Sequence, residues 1–300
     1  MNAILVVGSV GYDTIATPTG KRENILGGSA NYFSLAASMY APVKVVGVVG
    51  EDYKAGDRYL LESRGVDLRG LRQMPGRTFS WEGRYENDMN EAITLATHLN
   101  VFENFHPEIP ENYRDAQVVF LANIDPVLQL QVLEQVRKPR LIAADTMNYW
   151  IQSKKDDLLR VLGCIDILLI NEGEIRQLTG NWNTIAAAKQ ILTMGPKAVV
   201  IKRGEYGFVL FTEDRFFILP AFPVTEVVDP TGAGDTFAGG FLGHLTQLDR
   251  SWTREDLKQA CVQGCLLASY TVQDFGVEGI AKVTAGDLKA RLHDYRQVIS

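Results

Sequence analysis

The regular alternation of short apolar runs with longer amphipathic stretches is the feature that most restricts the fold of this chain. The apolar runs predict buried strands at Ala3–Val7, Val43–Val49, Val118–Ala122, Leu141–Ala144, Ile165–Ile170 and Ala198–Lys202. Their apolar residues are continuous rather than alternating with polar ones, which is typical of strands covered on both faces. A mainly parallel sheet satisfies this requirement.

Helical patterns separate and follow these strands. They lie at Ala30–Met39, Ala55–Arg64, Pro126–Val136, Lys154–Leu162, Glu172–Leu178, Thr184–Met194, Ala233–Thr246, Arg254–Ser269 and Ala285–Val298. A strand–helix–strand order places helices on both faces of a parallel sheet. The sequence therefore predicts an α/β domain of three layers, with the sheet between two layers of helices.

Two segments, approximately residues 12–26 and 78–100, break this order. The first is rich in turns, and the second alternates apolar and polar residues, as strands with one wet face do. We expect them to form a small antiparallel sheet, a lid or dimerisation surface inserted in a single domain over residues 1–300. Phe79, Trp81 and Tyr85 would share one face of this lid if no bulge intervenes. That face would cover a second protomer or form a wall around an aromatic substrate.

Composition and charge exclude several classes of partner. The 300 residues carry a net charge of −6, which argues against binding to nucleic acid or to an anionic membrane. No apolar run approaches the roughly 18 residues that cross a bilayer, and the N-terminal apolar run lacks a basic leader. The three cysteines have no metal-binding spacing. We therefore expect a cytoplasmic protein.

The most informative segment is Asp229-Pro-Thr-Gly-Ala-Gly-Asp235, which follows an extended run and enters a helix. Gly232 and Gly234 allow the backbone to approach a ligand, and the free N–H groups of a helix N-terminus attract phosphate. A carboxylate such as Asp235 in that position can deprotonate an attacking hydroxyl group. The alternative is a helix-capping aspartate. The segment lacks the Gly-Lys-Ser/Thr ending of a Walker A loop and the third glycine of a dinucleotide fingerprint.

The stretch Asp229–Phe241 resembles, without a gap, the second signature of the ribokinase-like (PfkB) carbohydrate kinases, and Leu26–Ala37 resembles their first signature. The resemblance implies a ribokinase-like fold and a kinase that uses ATP and Mg²⁺. It makes Asp235 the catalytic base and the amides of Gly232, Ala233, Gly234 and Asp235 the anion hole. Asp229 and Thr231 would help to bind a monovalent cation such as K⁺; a turn-initiating role for Asp229 is the alternative.

The same resemblance implies a binding site for the phosphate acceptor. Its residues would be Asp13, Gly27, Gly28 and Asn31, because a carboxylate and an amide suit sugar hydroxyl groups. A turn-capping Asp13 and a helix start capped by Ser29 are the alternatives. Asn123 and Asp125 follow a strand at the carboxyl edge of the sheet and are further candidates. Asp125 could instead begin a helix.

The nucleotide side is expected from further family elements. Asn171 and Glu174 match an Asn-x-x-Glu element that suits Mg²⁺ and its waters near ATP, although their spacing also fits a helix capping box. The candidates for nucleotide contact are Asn171, Glu174, Lys202, Arg203, Gly204, Gly207, Gly264 and Gly276. For Gly204 and Gly207 the alternative is a plain hairpin turn.

Together these features predict an ATP-dependent kinase that phosphorylates a hydroxymethyl group of a sugar or sugar derivative. A purine nucleoside kinase is the alternative within this class. A non-catalytic sugar- or nucleotide-binding sensor is the alternative from another class, and the acid in the glycine-rich turn argues against it. The sequence leaves the acceptor and the oligomeric state open, and the lid aromatics suggest a homodimer through the lid.

Overall fold

The computed structural model of the chain describes residues 2–213 and 215–300. Met1 and Asp214 belong to the domain predicted over residues 1–300 and lie outside the described residues. Within the described part, no helix is long and apolar enough to cross a membrane. The extent of the domain stays a prediction.

The main sheet has nine strands among the described residues, in the order β13-β12-β11-β10-β9-β8-β1-β4-β5. They are β1 (Ile4–Val7), β4 (Val43–Val49), β5 (Val66–Gln73), β8 (Val118–Leu121), β9 (Leu141–Ala144), β10 (Ile167–Asn171), β11 (Ala198–Lys202), β12 (Phe208–Thr212) and β13 (Arg215–Leu219). The pairs from β11 to β5 are parallel, and β12 and β13 extend the sheet in antiparallel fashion.

The burial of the central strand β1 shows why its sequence is continuously apolar. Ile4 and Val6 pack into the core on one face of the sheet, whereas Leu5 and Val7 pack into the core on the other face. Because side chains alternate between faces, only a strand covered on both sides needs apolar residues at every position. The predicted three-layer arrangement is confirmed.

The helices among the described residues are α1 (Ser29–Ala37), α2 (Ala55–Ser63), α3 (Pro126–Leu133), α4 (Asn148–Ser153), α5 (Lys155–Leu162), α6 (Glu172–Thr179), α7 (Thr184–Leu192), α8 (Ala233–Thr246), α9 (Arg254–Thr271), α10 (Glu278–Ala281) and α11 (Ala285–Val298). Nine of them agree with the predicted ones within a few residues, whereas the short helices α4 and α10 were not predicted. Capping boxes fix the starts of α6, α9 and α11.

The second sheet is the predicted lid. Its strands are β2 (Gly11–Thr17), β3 (Gly20–Gly27), β6 (Phe79–Tyr85) and β7 (Ala92–His98), in the order β3-β2-β6-β7. The hairpins β2–β3 and β6–β7 are antiparallel as predicted, while β2 and β6 run parallel where the hairpins meet. Side-chain hydrogen bonds connect the lid to the main domain: Thr78 Oγ1 donates to Asp52, and the Tyr12 hydroxyl donates to Asp57.

Close packing of α8 against α9 holds the start of α8 in place. A Cβ atom on Gly264 would stand 2.5 Å from the carbonyl oxygen of Phe237 in α8, and one on Gly240 would stand 2.9 Å from the Cα atom of Gly264. These glycines let the two helix backbones approach each other more closely than side chains would permit.

We predict that Gly264→Ala lowers the free energy of unfolding by about 1–3 kcal/mol, because the added methyl group overpacks this interface. The matched control is Gly56→Ala in α2, where a Cβ atom has nothing within 4 Å. There we expect a gain of up to about 1 kcal/mol from helix propensity. Urea denaturation of both variants measures the difference, and equal effects would contradict the packing role.

Candidate active site

The glycine-rich turn lies at the carboxyl edge of the main sheet, at the start of α8. Gly232 has a left-handed backbone (φ 74°) and is the N-cap of the helix. The N–H group of Thr236 donates to Gly232, and that of Ala233 to Pro230. Within the described residues, the N–H groups of Gly234 and Asp235 have no backbone acceptor; that of Asp235 bonds to its own carboxyl group, and that of Gly234 is available to an anion. This is the geometry that the anion-hole prediction requires.

An aromatic ring from α1 supports this turn. A Cβ atom on Gly232 would stand 2.4 Å from ring atoms of Tyr32, so the phenol ring occupies the space of a side chain. Gly232 is therefore required both for its positive φ and for this contact. Sequence reasoning missed Tyr32, although it directly follows the predicted site residue Asn31.

Asp235 is partly buried in the first turn of α8. Burial and the charge of Asp145 raise the pKa of its carboxyl group to about 7, while the ammonium group of Lys202 acts in the opposite direction. A carboxyl group with a pKa near neutrality suits a general base.

Lys202 lies beside the glycine-rich turn. Its Nζ atom is 2.6 Å from Asp145 Oδ2, and a Cβ atom on Gly234 would stand 3.0 Å from the same Nζ atom. Asp145 is buried and directly follows β9. Sequence reasoning missed it, although the rule that placed Asn123 at the carboxyl edge of the sheet applies equally to the residue after β9.

Asn171 and Glu174 form the alternative predicted for them, a capping box at the start of α6. Glu174 Oε2 accepts the N–H of Asn171 at 2.9 Å, and Asn171 Oδ1 accepts the N–H of Glu174 at 2.7 Å. Burial and the charge of Asp145 also raise the pKa of Glu174, to about 7. The carboxyl groups of Asp145 and Glu174 both lie near a single lysine, Lys202, so the local negative charge is incompletely balanced.

This charge imbalance fits the predicted Mg²⁺. A divalent cation prefers carboxylate oxygens, and it would relieve the repulsion between Asp145 and Glu174. Within the described part of the chain, no group of three or more His, Cys, Asp or Glu side chains is arranged to hold a metal by itself. A cation here would therefore share its coordination with waters and ATP phosphates.

The predicted acceptor residues Asp13, Gly27, Gly28 and Asn31 come together where the lid strands β2 and β3 meet the start of α1. The carboxylate of Asp13 is buried against Gly27, where a Cβ atom would stand 1.9 Å from Asp13 Oδ2. Gly28 has a φ of 89° and precedes α1, and Asn31 Nδ2 donates to the carbonyl of Gly27 at 2.6 Å. Asn31 Oδ1 is buried and, among the described residues, has no hydrogen-bond partner. It is available to a ligand hydroxyl group.

Electrostatic interactions connect Asp13 with the carboxylates of the glycine-rich turn. Burial, followed by the charge of Asp229, raises the pKa of Asp13 to about 8, and the charge of Asp235 adds to this shift. The carboxylates therefore lie near one another. Ser29 does not cap α1 in the way that the alternative reading required, because its hydroxyl group pairs with Ser9 and Gly28 is the N-cap.

Asn123 and Asp125 lie at the same edge of the sheet but have local partners. Asn123 Oδ1 accepts the indole N–H of Trp150 at 3.0 Å, and its amide nitrogen is 3.1 Å from Met147 Sδ. Asp125 is the N-cap of α3, accepts the N–H of Val127 at 2.9 Å, and thereby takes the alternative, helix-starting role.

Asp229 is fully buried and initiates the glycine-rich turn. Its Oδ1 atom accepts the N–H of Thr231 at 2.9 Å, and its Oδ2 atom accepts the N–H of Gly276 at 2.9 Å. Burial raises its pKa, and these hydrogen bonds counteract the shift. The geometry agrees with the turn-initiating alternative and brings Gly276 to the site. The role of Asp229 and Thr231 in binding K⁺ stays a prediction.

The other predicted nucleotide contacts are dispersed. Arg203 Nε donates to Glu172 Oε1 at 3.2 Å, so its guanidinium group is directed to the start of α6. Gly204 (φ 54°) and Gly207 (φ 83°) flank a short 3₁₀ turn, and a Cβ atom on Gly207 would stand 2.1 Å from a backbone oxygen of β13. Their positive φ values explain why glycine occurs at these two positions, with no ligand needed. The packing against Phe237 explains the glycine at position 264 in the same way.

The lid aromatics do not form one wall. The β6–β7 pairing is irregular between Glu82 and Gly83. The Phe79 ring packs on Phe102 (centroids 5.6 Å apart), and the Trp81 indole lies over Gly83.

Tyr85 reaches the glycine-rich turn instead, where its hydroxyl group accepts a hydrogen bond from Thr231 Oγ1 at 3.2 Å. At the lid tip, Asn90 lies against Gly204, since a Cβ atom there would stand 2.7 Å from Asn90 Oδ1. The lid therefore extends over the cleft.

Comparison with known proteins agrees with this geometry. The model of the pfkB family of carbohydrate kinases matches residues 1–282. A cytidine kinase of Thermococcus kodakarensis is 34% identical over 245 residues, which cover 80% of this chain and 87% of the relative. A nucleoside kinase of Methanothermobacter thermautotrophicus is 26% identical over 300 residues, covering 92% of this chain and 91% of the relative.

Solved structures share the fold over almost the whole length. The nucleoside kinase of Methanocaldococcus jannaschii has a TM-score of 0.77 at 21% identity and covers 98% of this chain and 99% of its own. The Burkholderia thailandensis nucleoside kinase in complex with inosine has a TM-score of 0.79 at 20% identity and covers 97% of each chain. The chain thus belongs to the pfkB family of carbohydrate kinases, enzymes that transfer a phosphoryl group from ATP to a sugar or a nucleoside.

Proposed function

We propose that this protein is a nucleoside kinase that phosphorylates the primary hydroxyl group of the ribose, with Asp235 as the general base. The proposed mechanism rests on the position of Asp235. It lies beside backbone N–H groups that have no backbone acceptor among the described residues, and beside the pair of Lys202 and Asp145. The choice of a nucleoside over a free sugar is supported by the relatives named as cytidine and nucleoside kinases. A free sugar is the second candidate for the substrate, because a ribokinase of Lactococcus lactis is 24% identical to this chain.

The acceptor end of the cleft suits a ribose. The carboxylate of Asp13 can accept hydrogen bonds from two neighbouring hydroxyl groups, and the free Oδ1 atom of Asn31 can accept another. Gly27 and Gly28 leave the space that this approach needs. Further along the sheet edge, the amide of Asn123 and the indole of Trp150 provide the polar and flat surfaces that suit a nucleobase.

Proton transfer is assigned to Asp235. The reacting hydroxyl group donates its proton to this carboxylate as its oxygen attacks the γ-phosphate of ATP, and ADP leaves with the electrons of the broken P–O bond. A pKa of about 7 makes Asp235 a stronger base than an exposed aspartate while leaving it largely ionised at slightly alkaline pH.

Charge on the transferred group is stabilised by fixed donors. The N–H groups of Gly234 and Asp235 point from a helix N-terminus, and Lys202 lies against the same turn. Mg²⁺, held on the side of Glu174 and Asp145, would supply the positive charge that this acidic site needs to accept ATP. The lid, which contacts Thr231 and Gly204, would exclude water from the cleft.

For the acceptor, we expect ADP release above background with at least one ribonucleoside, and a kcat/KM for it at least tenfold higher than for ribose. The measurement is coupled ADP release with cytidine, uridine, adenosine, guanosine, inosine, ribose and fructose at fixed ATP and Mg²⁺. Turnover of a free sugar alone would contradict the nucleoside assignment and leave the kinase assignment intact.

For the base, we expect Asp235→Asn to lower kcat by on the order of a hundredfold or more, because the amide cannot accept the proton. Binding of ATP, followed by calorimetry, should be retained. The matched control is Asp125→Asn at the same sheet edge, which should leave kcat unchanged because asparagine also caps a helix well. Wild-type turnover by Asp235→Asn would exclude Asp235 as the base.

A further inference from the structure

A buried hydroxyl group in the cleft has no role in the mechanism described above. The Tyr32 side chain is 1% exposed, and within the described residues its hydroxyl group has no hydrogen-bond partner. A buried polar group without a partner costs free energy, roughly 1–3 kcal/mol in proteins. Such a group is retained in a binding site when a ligand supplies the missing partner.

The position of this hydroxyl group shows what it faces. The Tyr32 ring is fixed against Gly232, and its residue follows Asn31 in the first turn of α1. Burial raises the pKa of Tyr32 well above its ordinary value, and Asp13, Asp229, Tyr85 and Asp235 add to the shift in that order. The hydroxyl group therefore stays protonated and lies among carboxylates between the two ends of the cleft.

The chemistry of the neighbours defines the missing partner. Ionised Asp13 and Asp235 can only accept hydrogen bonds, whereas a protonated phenol can donate one. A substrate hydroxyl group that donates a hydrogen bond to Asp13 still has free lone pairs on its oxygen. Tyr32 is the neighbouring donor that can satisfy such an oxygen.

We propose that the Tyr32 hydroxyl group donates a hydrogen bond to the substrate hydroxyl group that binds Asp13. Tyr32 is then a positioning residue for the acceptor, and it selects substrates that carry a hydroxyl group at that place. This inference rests on the proposed ribose-containing acceptor and adds a residue that the glycine and aspartate motifs do not include.

The test compares Tyr32→Phe with wild type, using the ribonucleoside turned over fastest in the acceptor panel and its 2′-deoxy and 3′-deoxy analogues. We expect KM for the parent nucleoside to rise about three- to tenfold with kcat little changed, since one neutral hydrogen bond is lost in both ground and transition states. The melting temperature should stay the same or rise, because the variant removes an unsatisfied group.

The deoxy analogues identify the contact. For the analogue that lacks the bonded hydroxyl group, wild type and Tyr32→Phe should have the same KM. The matched control is Tyr53→Phe, because the Tyr53 hydroxyl is also buried and has no partner among the described residues, but belongs to the segment before α2. It should keep wild-type KM values. Tyr32→Met, which also removes the hydroxyl group, gives a second test should the phenylalanine variant not fold.

Two results would overturn the inference: an unchanged KM in Tyr32→Phe, or an increase of equal size for the parent and both deoxy analogues. Both can occur while wild type phosphorylates the nucleoside, and they would then leave the proposed function intact. Failure of wild type to phosphorylate any nucleoside or sugar would instead contradict the proposed function itself.

Discussion

The chemistry of the cleft depends on the contact between Lys202 and Asp145. Lys202 is the last residue of β11, and Asp145 directly follows β9, on the other side of β10 in the same sheet. Their charged atoms are 2.6 Å apart in a buried setting. Taking both charges out of water is costly, so such a pair is weak evidence for stability and better evidence for a function. Here it places an ammonium group against the glycine-rich turn and a carboxylate near Asp235 and Glu174. Burial, followed by the charge of Asp145, raises the pKa values of Asp235 and Glu174, while Lys202 lowers them.

An acidic cleft has consequences for both substrates. ATP brings further negative charge, so in the proposed mechanism its binding would rely on the N–H groups at the start of α8, Lys202 and a divalent cation. The hydroxyl groups of the proposed acceptor would donate hydrogen bonds to the carboxylate of Asp13. On this proposal the acidic residues would contact the uncharged substrate directly and the charged one only through positive groups. Tyr85 and Thr231 connect the lid to the turn between the two substrates.

The sequence alone predicted the features that depend on residues close to one another in the chain. Two-sided burial is visible in continuous apolar runs such as Val43–Val49, and the turn around Gly232 contains its glycines and its acid within a few residues. The edge strand β5 was missed because polar residues interrupt its apolar ones; β13 was also missed, although four of its five residues are apolar, and it is largely exposed. Asp145 and Tyr32 were missed because their partners are distant in sequence. For Gly264, a motif comparison cannot distinguish a buried helix contact from a ligand contact; the structure shows the helix contact, and the nucleotide contact stays a prediction.

In the proposed mechanism Asp235 takes a proton in its ionised form, with a pKa that burial and then the charge of Asp145 raise. The most direct measurement is the pH dependence of kcat/KM for the acceptor in wild type and in Asp145→Asn. Since Asp13 and Asp235 must both be ionised, and their pKa values are raised to about 8 and about 7, wild-type activity should fall as the pH drops through this range. Asp145→Asn removes the charge that raises the pKa of Asp235 and leaves Lys202, which lowers it. Because Asp13 has the higher pKa, it sets the pH at which wild-type activity begins to fall, and Asp235 sets the lower pH at which the fall becomes steeper. The account therefore predicts that in Asp145→Asn the onset stays in place while the steeper part moves to lower pH, and a steeper part that does not move would contradict it.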